Sequence, residues 1–127
     1  MQAMARPEFT CSVQVQPLPD QTNPAAGQYA WAYTVTIQNS GDVTAQLVAR
    51  HWVITDAQGK VEQVRGLAVV GHQPRPAGVL EALAGLEQRL ATPQGTMRGT
   101  FFCMTDEAHP FDAPVPEFAL TLASALH

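Results

Sequence analysis

The chain predicts an all-β sandwich of two antiparallel sheets. Three observations carry this. Short runs of alternating apolar and polar residues recur with turn signals between them at intervals of about 8–12 residues. Ten prolines and nine glycines punctuate those runs instead of clustering. No long amphipathic helix pattern interrupts them. The 127 residues, 46% of them hydrophobic and 14% charged, suit one globular domain spanning 1–127 with its core at about 10–122, and a chain of this size removes roughly two-thirds of its unfolded surface from water.

From Thr10 to Gln16, Cys11, Val13 and Val15 alternate with Ser12, Gln14 and Gln16, the pattern of a half-buried strand. Residues 17–28 carry three prolines, Asp20, Asn23 and Gly27, and predict an exposed connection without regular structure. Tyr29 to Gln38 gives the strongest strand signal, with Tyr29, Trp31, Tyr33, Val35 and Ile37 on one side and Ala30, Ala32, Thr34, Thr36 and Gln38 on the other. Asn39-Ser40-Gly41-Asp42 turns the chain. Ala45 to Thr55 resumes as a strand, with Leu47, Ala49, Val53 and Ile54 alternating imperfectly around Arg50-His51-Trp52. Residues 56–60 form a hairpin loop and Val61 to Arg65 returns. Val69 and Val70 head a further strand that ends before Gln73-Pro74.

Residues 79–90 are ambiguous. Leu83, Leu86 and Leu90 recur at helical spacing, yet Gly85 interrupts and every neighbour reads as β; a strand is expected, with a short helix as the alternative. Thr96 to Thr105 enters the core through Phe101-Phe102, and residues 106–109 turn. Val115 to Leu122 closes the domain, and Pro114 and Pro116 confine its start to a sheet edge or a bulge. The core is expected to gather Tyr29 to Ile37 with Trp52, Phe101, Phe102 and Phe118.

The formal net charge of −4 argues against nucleic acid as a partner, because phosphate neutralisation needs a basic stripe. Arg50, Lys60, Arg65, Arg75, Arg89 and Arg98 instead stand singly among eleven carboxylates. Met1 to Phe9 holds no apolar run suited to a signal peptide, and no segment reaches membrane-spanning length, so a soluble cytoplasmic protein is expected. Cys11 and Cys103 are then reduced, buried strand residues.

No catalytic, cofactor or metal constellation emerges. Ser12, Ser40 and Ser124 lack a nucleophile-elbow context, although a triad assembled only in space leaves no trace in spacing. His51, His72, His109 and His127 lie far apart, and Asp106, Glu107, His109 and Asp112 make a solvated turn more readily than a divalent-ion site. The glycines from Gly66 to Gly71 fall one short of a phosphate-binding fingerprint, and Gln73-Pro74 follows where that motif needs a helix N-terminus. Turns, bulges or close strand approach explain Gly66 and Gly71 better. Arg50 and Arg98 are candidates for a basic pair facing an anion or an acidic partner, against a plain solvated face. The candidate contacts are therefore Gly66, Gly71, Arg50 and Arg98, on a surface formed by the loops carrying Gly71 to Gly78 and Pro93 to Gly99.

Several motifs in order resemble the ApaG family. They are Tyr33-Thr34-Val35-Thr36-Ile37 with Asn39; Arg50-His51-Trp52 with Ile54-Thr55-Asp56; and Gly66 with Val69-Val70-Gly71 and Gln73-Pro74. Thr92-Pro93, Gly95-Thr96-Met97-Arg98-Gly99, and Pro116 with Phe118 and Leu120 complete the set. Together they cover essentially the whole chain from Thr10. The resemblance implies an immunoglobulin-like, fibronectin type III-like sandwich. It also implies relatives tied genetically to diadenosine tetraphosphate hydrolysis, cobalt resistance and magnesium efflux. Similar domains in eukaryotes, attached to F-box proteins and to a polymerase-interacting protein, look like protein-interaction modules. The family offers no established catalytic residues. Two departures weaken a phosphate role: Ala68 replaces the usual second glycine, and Leu80 to Gly85 replaces the usual Tyr-Thr-Ser-Gly strand. The expected function is a non-catalytic binding or protein-interaction module without a cofactor. Its partner is an unidentified protein, or a second copy paired at a sheet edge, and no membrane or nucleic acid is expected. The competing class is a phosphate-ligand protein or a dinucleoside polyphosphate hydrolase.

Overall fold

Seven strands follow one another in the computed structural model, which describes residues 5–68 and 74–122. They are β1 (Phe9–Pro17), β2 (Tyr29–Asn39), β3 (Ala45–Asp56), β4 (Val61–Leu67), β5 (Leu80–Leu90), β6 (Gln94–Thr105) and β7 (Pro110–Thr121). One sheet has the order β1-β2-β5 and the other β4-β3-β6-β7, and every pairing is antiparallel. The expected two-sheet sandwich is therefore present. No helix among the described residues is long and apolar enough to cross a membrane. The strand expected at Val69-Val70 lies outside the described residues.

The period of two decides which residues meet between the sheets. On β2, Trp31, Tyr33, Val35 and Ile37 are buried, as the alternation predicts. They face Trp52 and Ile54 of β3, Met97, Phe101 and Cys103 of β6, and Val115 and Leu120 of β7. Trp31 keeps its indole N–H satisfied by donating to the Thr121 carbonyl at 2.9 Å. The aromatic centre is a cluster in which Trp52 meets Tyr33, Phe101 and Phe118 edge to face, with centroids 5.8–6.2 Å apart. Phe102 does not join it. Its neighbour Phe101 is 3% exposed and Phe102 is 43% exposed, because successive strand residues point to opposite faces.

Bulges account for most remaining departures from the sequence pattern. Val48 has no partner on β6 where β3 passes from Leu47↔Cys103 to Ala49↔Phe102. That extra residue shifts the phase, so Arg50, Trp52 and Ile54 share the inner face while Ala49 and Val53 face outward. On β5, Ala84 and Gly85 together oppose Thr34, and Gly85 takes φ +78°. The bulge keeps Leu83 and Leu86 on one face at a spacing of three, which is why this strand imitates a helix in sequence. On β7, Pro116 and Glu117 together oppose Arg98. β7 is also an edge strand, so Pro110, Pro114 and Pro116 are accommodated by edge and bulge, and the strand begins five residues before the expected Val115.

The 17–28 connection is more ordered than expected. Pro19–Gln21 and Pro24–Ala26 each make one 3₁₀ turn, with proline fixing φ at the start. It folds back on β2: Leu18 N–H donates to the Ala30 carbonyl at 2.9 Å, and the Ala30 N–H donates to Thr22 Oγ1 at 3.1 Å. Ala30 is thereby buried on the face assigned to solvent. At the other end of β2, buried Asn39 donates to the Val43 and Arg75 carbonyls, both at 2.8 Å, and accepts from Gly41 N–H at 3.1 Å.

Candidate functional site

Three strands face four, so the sandwich is open on one side. There β5, the edge of the smaller sheet, and β4, the edge of the larger, stand apart. A cleft of about 440 Å³ lies between them. Tyr33, Trp52 and Phe101 line it from the core, Leu83, Leu86 and Glu87 from β5, and Arg50, Leu67 and Ala68 from the β3–β4 side. Leu67 is largely solvent-exposed.

Arg50 is in the cleft because of the Val48 bulge, which turns it to the same face as Trp52. Its cross-strand neighbour on β4 is Gly66. With no side chain there, the half-buried guanidinium lies over the Gly66 backbone: a Cβ on Gly66 would stand 3.3 Å from Arg50 Nη2. Arg50 Nε donates to the Leu67 carbonyl at 3.2 Å, and no carboxylate pairs with Arg50 among the described residues. Tyr33 senses the cation. Burial pushes its phenol up from the ordinary value, and Arg50 pulls it partly back.

The other candidates divide. Gly66 and Arg50 come together, whereas Gly71 lies outside the described residues. Arg98 does not pair with Arg50. It stands opposite Val53 on the outer, exposed face of the sheet, while Arg50 faces inward. Nor do the described parts of the two expected loops converge. Gly78 sits at the Asn39 end of β2, where its N–H donates to the Asn39 carbonyl. Thr92 and Pro93 lie at the Asp56 end of β3, where Thr92 Oγ1 accepts from Ala57 N–H. Residues 94–99 are strand rather than loop. These two ends are separated by the full length of β2, from Tyr29↔Leu90 to Gln38↔Leu80.

Among the described residues no three His, Cys, Asp or Glu side chains group as a metal site. His51 Nε2 meets Gln63 Oε1 at 2.9 Å on the outer face. His72, His127 and Ser124 lie outside the described residues. Ser40 Oγ, just past the end of β2, bonds Thr10 Oγ1 of β1 at 2.6 Å. Both cysteines are buried free thiols. Burial pushes Cys11 up to about 11 and Cys103 to about 12, so neither supplies a thiolate nucleophile near neutral pH. Sequence reasoning missed the aromatic and leucine walls of the cleft. The available signal was an arginine two residues before a buried tryptophan on one strand face, and the unrecognised bulge hid it.

The ApaG domain family matches residues 19–105. Protein ApaG of Ralstonia nicotianae is 50% identical over 126 residues, covering 98% of this chain and all of the relative. Protein ApaG of an Acidovorax species is 49% identical over 121 residues, or 92% of this chain and 87% of the relative. A crystal structure described as the putative ApaA protein of Bordetella pertussis superposes with a TM-score of 0.83 at 42% identity, covering 91% of this chain and 94% of that one. An X-ray structure of a structural-genomics target gives a TM-score of 0.85 at 33% identity, over 94% and 91%.

Proposed function

Because this chain belongs to the ApaG family, we propose that it works as a non-catalytic protein-interaction module of fibronectin type III-like architecture, and that Arg50 and the β4–β5 cleft form its contact site. The observation that carries this reading is Arg50 itself. A cation held half-buried beside Tyr33 and Trp52, without a carboxylate partner among the described residues, suits an incoming acidic group, since a charge-assisted bond in such a place is stronger than one in water. An aromatic floor with one arginine is also the composition of interaction hot spots. A cytoplasmic setting, and a role in cobalt or magnesium homeostasis or diadenosine polyphosphate turnover, belong to the same proposal.

The competing reading, a polyphosphate ligand or substrate, fits the cleft less well. Several phosphates need several cations or helix N-termini, and among the described residues the lining offers Arg50 as its one cation, together with Glu87. Arg98 faces the other way. Affinity capture from native lysate with the parent chain and with Arg50→Glu tests the proposal. A partner retained by the parent and lost by the variant is expected. Partners captured equally by both, or hydrolysis of diadenosine tetraphosphate by pure protein, would overturn it.

A further inference from the structure

The geometry points to strand addition at β5: an extended segment of another protein pairs with this edge and places a carboxylate side chain on Arg50. This rests on the interaction reading above and names the edge and the chemistry of the partner.

The four sheet edges are not equivalent. β7 carries Pro110, Pro114 and Pro116 and a bulge at Pro116–Glu117, features that spoil a pairing template. β1 ends on Pro17, and its Phe9 packs edge to face on Phe111 of β7 at 5.4 Å, so this side of the sandwich is closed. β4 has seven residues. β5 has eleven, with neither proline nor lysine and a single bulge at Ala84–Gly85. It is the long edge on which no further strand pairs among the described residues. It is also where the smaller sheet stops one strand short of covering β4. A strand added beside β5 would lie over β4 and roof the cleft, and every second side chain would point down towards Arg50 and the aromatic floor.

Those alternate side chains are constrained by what they meet. Leu83 and Leu86 call for apolar residues, and Arg50 calls for one Asp or Glu between them. Glu87 at the rim is offset by Arg89, whose Nη2 lies 3.4 Å from Glu87 Oε1. A second copy of this chain fits poorly. Paired through β5, it would bring the inner-facing Leu83, Leu86, Gln88 and Leu90 over the cleft. The acidic residue of that face, Glu81, is already held by buried Arg75 at 2.8 Å. The occupant is therefore a different protein segment, acidic and apolar in alternation.

The test selects random linear twelve-residue peptides on the full chain from a display library, then follows an enriched peptide by amide hydrogen exchange and NMR. Expected are an acidic residue flanked by apolar residues at a spacing of two, and slowed exchange of β5 amides in the complex. Arg50→Ala should weaken the peptide at least about 10-fold, the scale of one charge-assisted bond, with its unliganded melting temperature close to the parent's. Peptides without an acidic residue, protection outside β5, or no enrichment would overturn the proposal. So would a concentration-dependent dimer with protected β5 amides, which would make a second copy the occupant. If lysate partners are lost on Arg50→Glu while peptides never protect β5, the interaction reading stands and strand addition fails.

Discussion

Trp52 packs across Gly99 on the neighbouring strand: a Cβ built on Gly99 would come within 2.5 Å of Trp52 Cε3 and 2.6 Å of the His51 carbonyl oxygen. The glycine is thus required by the tryptophan's ring and by the backbone behind it. Gly99→Ala should destabilise by about 1–3 kcal/mol, the usual range for overpacking a filled site. Gly66→Ala should cost less than about 1 kcal/mol, because the added methyl meets the movable tip of Arg50 at 3.3 Å. Urea unfolding of both variants checks the order, and a Gly99→Ala chain as stable as the parent would refute the contact.

Phe101 and Phe102 are adjacent in sequence and should differ sharply in energy. Phe101 packs on Trp52 in the closed core, so Phe101→Ala should cost about 3–5 kcal/mol. Phe102 is 43% exposed on the outer face, and Phe102→Ala should cost about 1 kcal/mol or less. Equal losses in thermal or urea unfolding would contradict the facing of β6.

Strand-level alternation made the sandwich legible. Tyr29 to Gln38 announces β2 because one face of that strand is almost wholly buried, so its apolar residues recur with a clean period of two. The site was less legible for a physical reason. A bulge is one residue long and leaves no compositional mark, yet it moves every later side chain to the opposite face. The Val48 bulge turns Arg50 inward, and nothing in Val48-Ala49-Arg50 signals it. With the phase unknown, Arg50 and Arg98 could be imagined on one surface. Leu83 and Leu86 likewise looked helical, because the extra residue at Gly85 converts a spacing of two into three. Gly99 and Gly66 both lie in the sequence motifs, but the partners that need them, Trp52 and Arg50, come from a different strand.

The buried thiols should make the fold alkali-sensitive. Cys11 rises from the ordinary thiol value of 9.0 to about 11, chiefly through burial, and Cys103 rises to about 12 through burial and then the neighbouring Cys11 and Asp112. Above pH 9 the unfolded chain releases these protons while the folded chain holds them, so the unfolded state binds fewer protons and is favoured as pH climbs. Their contribution is complete below about pH 9 and declines as pH rises towards 11 and 12. Urea midpoints measured from pH 8 to 11 should fall less steeply for the Cys11→Ala, Cys103→Ala double variant than for the parent. Native thiols should also resist iodoacetamide at pH 8 until the chain is unfolded.

Arg50 and Tyr33 provide a readout of the cleft that needs no partner. Burial raises the Tyr33 phenol, and the Arg50 charge opposes that rise by favouring the phenolate. Removing the charge should therefore push the phenol higher still. In a Tyr29→Phe background, ultraviolet titration of the remaining tyrosine should show its ionisation moved to higher pH by Arg50→Ala. Arg50→Lys, which keeps a cation on a shorter-reaching head group, should move it less. An acidic peptide seated on Arg50 would screen the same charge, so adding it to the parent should shift Tyr33 in the direction of Arg50→Ala. If Arg50→Ala leaves the titration unchanged, the guanidinium does not sit at the aromatic floor, and the contact site built on it would have to be abandoned.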